Sequence, residues 1–198
     1  MKWNKFRQNI INLLPFKALR SKLSFRFGLF PGSVIRPNVT ITGLKNLKID
    51  KNVYVGGGTS LHCGGGVSIG SGTSIGTGAF IFSTNHNYRS NEFVPFDYIG
   101  YMQAVEIGKN CWLGAKCKIC PGVKLEDGVV VAMGAVVTKS VPKCAIVGGN
   151  PAKIIGWRDK EVYEKLAENN CVFDVSKKNP IKFIKKEGFK PYLSTTEK

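Results

Sequence analysis

Residues 107–141, broken every six residues, read IGKNCW LGAKCK ICPGVK LEDGVV VAMGAV VTKSV. Ile107, Leu113, Ile119, Leu125, Val131 and Val137 head the lines. Four residues after each stands a small or β-branched side chain: Cys111, Cys117, Val123, Val129, Ala135 and Val141. Gly108, Gly114 or the pair Pro121-Gly122 fill turn positions between them. A helix would want apolar residues three and four apart, and an isolated strand would want simple alternation over a short run. A period of six with glycine punctuation predicts short strands joined by tight turns, each sending an aliphatic side chain inward. One such coil cannot close its own hydrophobic face, so coils must stack into a solenoid.

The same step appears earlier, as Ile49, Val55, Leu61 and again as Ile69, Ile75, Ile81. The phase slips by two across Cys63-Gly64-Gly65-Gly66. After Ile81 the next residue in phase is Ile107, so twenty residues interrupt the rhythm. The insert, 82–104, carries His86, Tyr88, Arg89, Phe93, Phe96, Asp97, Tyr98 and Tyr101, a composition unlike the glycine-rich coils around it. Solenoids place such insertions as loops beside a binding face. His86, one of two histidines in the chain, can exchange a proton near neutral pH. The other, His62 in LHCGGG, reads as a structural or solvent-facing residue of an early coil.

The hexads IGSGTS, IGTGAF, IGKNCW, LGAKCK and VAMGAV resemble the hexapeptide repeat of left-handed parallel β-helix acyltransferases. The run from IGKNCW through TKSVP to GGNPAKII is similar to galactoside, maltose and streptogramin O-acetyltransferases. Three hexads per triangular coil, and the left hand of the coil, are what the resemblance implies. It covers residues 34–156, leaving a basic amphipathic segment at 1–33 and a helix with a basic tail at 157–198. Carbonic anhydrases share the prism, but their zinc needs three histidines and this chain has two. Cys117 and Cys120 have the spacing of a metal or redox pair without a second pair to support it, and Cys117 falls on an interior position. No metal is expected.

Acyl transfer from a thioester to a hydroxyl requires removal of the acceptor's proton, a held thioester, and donors for the tetrahedral oxyanion. The resemblance puts the catalytic base on His86, acting without an acyl-enzyme. Its orienting partner could be Asn85, Glu92, Asp97, Glu106 or a backbone carbonyl. Asn85, Tyr88 and Tyr98 are expected to bind the acceptor. Acetyl-CoA is the implied donor, with Trp112 packed on its pantetheine, Ala115 and Met133 lining the arm, Thr138 and Lys139 on the lower part, and Lys153 near the phosphates. Met133 departs from the family, which carries a small residue there. The implied assembly is a homotrimer with cofactor between adjacent subunits.

Composition sets the outer bounds. The chain has 198 residues, a 43% hydrophobic fraction and a formal net charge of +16, so one globular domain with small terminal additions is expected. Residues 1–30 hold seven basic and no acidic side chains. Such a field attracts nucleic acid, anionic lipid or phosphorylated small molecules alike. No nucleic-acid motif accompanies it, so no nucleic-acid partner is expected. No apolar run suits a membrane span, no secretory signal is read, and six scattered cysteines suit reduced thiols in a cytoplasmic protein. Ile10, Ile11, Leu13, Leu14, Phe16 and Leu19 among basic residues suggest short helical pieces around Pro15. These would cap the solenoid or touch an anionic membrane surface peripherally. RDKEVYEKLAENN after Trp157 predicts a helix, with Val162 and Leu166 spaced by four and Glu161 four before Lys165. The expected function is acetyl-CoA-dependent O-acetylation of a sugar or polysaccharide precursor. The alternatives are N-acetylation of an amino sugar nucleotide, O-acetylation of an antibiotic, or a non-catalytic scaffold.

Overall fold

The structure is a computed structural model and describes residues 30–177 and Ile181. The helical expectations for 1–29 and the basic tail beyond 177 lie outside the described residues, Ile181 apart. Short parallel strands wind into a three-faced β-helix. The first face stacks Val34–Ile35, Tyr54–Val55, Ser74–Ile75, Trp112–Leu113, Val130–Val131 and Ala145–Gly149, closed by Ala152–Trp157 running antiparallel. The second stacks Thr40–Thr42, Ser60–His62, Phe80–Phe82, Lys118–Ile119 and Val136–Val137. The third stacks Leu47–Ile49, Val67–Ile69, Val105–Ile107 and Lys124–Leu125, extended by a parallel bridge from Leu125 to Val141.

The sixfold rhythm becomes three interior ladders. Ile35, Val55, Ile75, Leu113, Val131 and Val147 lie in register up the first face. Ile41, Leu61, Ile81, Ile119 and Val137 do so up the second, and Ile49, Ile69, Ile107 and Leu125 up the third. Nearly all are buried, and each such side chain removed from water stabilises the stack by roughly 1.5–3 kcal/mol. The small positions Cys111, Cys117, Val123, Val129, Ala135 and Val141 are buried at the corners between ladders. Large side chains there would overfill a triangular cross-section.

The described C-terminal residues strap the prism. Asp159 caps the helix Lys160–Glu168 by accepting a hydrogen bond from Val162 N at 3.0 Å. The helix packs through Tyr163, whose ring fills the space beside Gly128. Val162 and Leu166 are exposed, not the packing stripe that their spacing suggests. The helix's ion pair also differs from expectation. Glu164, rather than Glu161, pairs with a lysine: Lys143 Nζ lies 2.6 Å from it, because Lys143 projects from the adjacent corner. The chain then descends to the corner between the third and first faces at the end of the lowest coil, where Asn52 donates to Phe173 O at 2.9 Å and accepts from Val175 N at 2.9 Å.

Candidate active site

The corner between the second and third faces is built wide before the insert begins. Ile41 to Ile49 and Leu61 to Ile69 each span eight residues where upper coils use six, and the 26-residue step from Ile81 to Ile107 grows from the same corner. Ser83 fixes its root. This residue is fully buried; its Oγ donates to His62 O at 2.8 Å and accepts from Gly65 N at 3.0 Å. Its carbonyl accepts from Gln103 N at 2.8 Å, which closes the loop. Thr84–His86 then pairs antiparallel with Gly100–Met102, His86 opposite Gly100 and Asn85 opposite Tyr101.

Alternation gives this ribbon two distinct faces. The Thr84 methyl lies over Gly64 of the coil below, where a Cβ would stand 2.7 Å from it. His86 shares the parity of Thr84. Asn85, Tyr101 and Gln103 face the opposite way, and Gln103 covers Gly122 of the coil above. Asn85 and Tyr101 line a cavity of about 480 Å³ together with Asn87, Tyr88, Arg89, Met102 and Gln103. Tyr98 is not in its lining: it is 95% exposed and meets Phe93 edge-on at 5.4 Å. The expected acceptor residues are therefore split, with Asn85 and Tyr88 together and Tyr98 apart.

The His86 ring is exposed and stacks on Phe96, with centroids 4.1 Å apart and planes at 19°. Among the described residues no side chain hydrogen-bonds its ring nitrogens. Asn85 Oδ1 instead accepts from the backbone N–H of His86 at 2.9 Å. Asp97 accepts from Asn87 Nδ2 at 2.6 Å and from Ile99 N at 2.8 Å, and Glu106 faces Lys124 on the third face at 4.0 Å. Partial burial would raise the Asp97 pKa, but hydrogen bonds from Ile99 N–H, Ser90 and Asn87 prevail and hold its carboxyl below the usual range. Asp97 is thus a brace for the loop, and an aromatic plane orients the imidazole. Sequence gave Phe96 no role because stacking across ten residues of loop leaves no periodic mark.

The residues expected to hold the donor occupy two corners. Ala115 and Met133 stack between the first and second faces: a Cβ on Gly114 would stand 2.5 Å from Met133 N. Met133 is 71% exposed, so its thioether lies outside that backbone stack. Trp112, 48% exposed, projects from the first face one coil above Ser74, and Lys153 lies higher on that face, opposite Gly148. Thr138 and Lys139 sit on the next corner, above the root of the ribbon. Within one protomer the width of the second face separates them from Trp112. Among the described residues no group of metal-ligating side chains is gathered.

Residues 104–139 match the family model described as the hexapeptide repeat of succinyl-transferase. The matched segment is the upper part of the β-helix, so the chain is similar to hexapeptide-repeat acyltransferases there. The parallel β-helix is the solenoid that the repeat predicts and that the resemblance implies. A Staphylococcus aureus strain Mu50 protein named "Putative acetyltransferase SAV2555" is 35% identical over 132 residues, covering 64% of this chain and 63% of that one. The chain thus spans a little under two thirds of that curated relative. Two solved structures share the fold. The hexapeptide-repeat acetyltransferase VCA0836 of Vibrio cholerae, with acetyl-CoA, has a TM-score of 0.57 at 23% identity, covering 76% of this chain and 82% of that one. A galactoside acetyltransferase with CoA has a TM-score of 0.57 at 21% identity, covering 76% of each chain.

Proposed function

We propose that this hexapeptide-repeat protein is an acetyl-CoA-dependent O-acetyltransferase that acts on a hydroxyl of a sugar or polysaccharide precursor. The carrying observation is vertical spacing along the prism. His86 leaves from the third coil, and Lys153 lies three to four strand spacings higher on the first face, roughly 14–19 Å at about 4.8 Å per step. The pantetheine arm has about 13 bonds between its sulfur and the pyrophosphate, roughly 15 Å at the per-bond reach of an extended chain. An acetyl-CoA whose phosphates meet Lys153 therefore presents its thioester near the level of His86. The acetyl-CoA and CoA in the two solved relatives support the same donor.

In this reading His86 takes the acceptor's proton as its oxygen attacks the thioester carbonyl. The tetrahedral intermediate collapses, the carbon–sulfur bond breaks, and the imidazolium returns the proton to the departing thiolate. No acyl-enzyme forms. A donor that touches both Trp112 and the corner of His86, Thr138 and Lys139 must lie between two copies of the chain, which supports a homotrimer with three sites. Polysaccharide assembly at the cytoplasmic side of a membrane, with residues 1–33 touching anionic lipid, is the setting that the basic composition suits.

Thiol release from acetyl-CoA with a panel of sugars tests the reading. Substituting His86→Ala should cost about 10²–10⁴ in rate. Equal activity in both proteins removes the base, and failure of the wild type to bind CoA favours a scaffold. Sedimentation at a protomer mass excludes the trimer.

A further inference from the structure

Arg89 is three residues from His86, and among the described residues no carboxylate pairs with it. Its guanidinium lies 5.7 Å from the centre of the Tyr88 ring, and the ion pairs among the described residues are formed by other lysines and acids. The cavity that it lines offers the amides of Asn85, Asn87 and Gln103 and the hydroxyls of Tyr88 and Tyr101, with no carboxylate among its described lining residues. Asp97, on the same loop, is committed to Asn87 and Ile99 N. A concave surface of neutral donors around one unpaired cation is suited to an anion bearing sugar-like hydroxyls.

The vertical spacing decides whose anion it is. If the donor's phosphates reach Lys153, they lie three to four strand spacings above the ribbon, beyond Arg89. From these relations, and resting on the acetyl-transfer reading above, we infer that the acceptor is an anionic sugar. Its phosphate or carboxylate docks on Arg89 while a separate hydroxyl is presented to His86. His86 is not among the cavity's described lining residues, so the anchor and the imidazole meet the acceptor at separate points. The anionic group is therefore not on the carbon that is acetylated.

Calorimetric titration of the full chain, with and without CoA, tests this with three probes: glucose 1-phosphate, glucuronate and methyl glucoside. The wild type is expected to bind one or both anionic sugars at least about tenfold more tightly than methyl glucoside, the preference shrinking with salt. Arg89→Met should abolish the preference, Arg89→Lys should keep part of it, and neither should change the affinity for CoA. Glucose 1-phosphate against glucuronate separates a phosphate from a carboxylate. Equal or undetectable binding of anionic and neutral sugars by the wild type overturns the inference. So does weaker CoA binding by Arg89→Met, which would assign the cation to the donor. Loss of CoA binding by the wild type would instead remove the acetyl-transfer reading, and the anion preference would still be measurable without CoA.

Discussion

Ser83 O occupies the space that a Cβ on Gly65 would need, while Gly65 N–H donates to Ser83 Oγ at 3.0 Å. The glycine run of the second coil is therefore a seat for the root of the ribbon that carries His86. Substituting Gly65→Ala should lift that root, since the same Cβ would also stand 2.7 Å from Gln103 N. Such overpacking costs about 1–3 kcal/mol, measurable as a lower urea midpoint. Thiol release should fall at least about tenfold while the KM for acetyl-CoA changes less than about twofold, because a small misplacement of a reacting group is costly in rate. An unchanged kcat would show that the seat does not position His86.

Phe96 holds the imidazole plane at 4.1 Å. Phe96→Ala should lower kcat about tenfold with little change in stability, since Phe96 is exposed, and Phe96→Tyr should restore most of it. A kcat equal to wild type in Phe96→Ala would assign the ring's orientation to the acceptor or a second protomer.

Asp97 gives the loop an acid-sensitive brace. Its folded pKa is held below the ordinary value: burial opposes this, but the bonds from Ile99 N–H, Ser90 and Asn87 outweigh it. A depressed carboxyl contributes stability above its unfolded pKa and loses it as pH falls through the folded value. Amide exchange at Ile99 should therefore accelerate only below the usual carboxylate range. Asp97→Asn should remove that pH dependence, and a wild-type profile flat through this range would contradict the brace.

Four cysteines should be silent in the native protein. Cys63, Cys111, Cys117 and Cys144 are buried, and burial pushes the Cys63 and Cys117 thiols up to about 12, which starves them of reactive thiolate. A maleimide reagent should label Cys171 first, then the half-buried Cys120. Rapid labelling of Cys117 without denaturant would refute the interior ladder of small residues.

Sequence by itself determined the prism. A period of six is a property of neighbouring residues, and stacking demands it wherever Leu113, Ile119 and Leu125 turn inward on successive faces. The interruption at Ile81 and its histidine were legible for the same reason, as a break in a regular pattern. Tertiary structure alone decided what surrounds His86. The seat of Ser83 on Gly65, the stack on Phe96, the turning away of Tyr98 and the gathering of Arg89 with Gln103 join residues with no shared period. So does the division of Trp112 from Thr138 across one face. Such contacts follow from where a loop folds back on its scaffold, and local repetition carries no record of that.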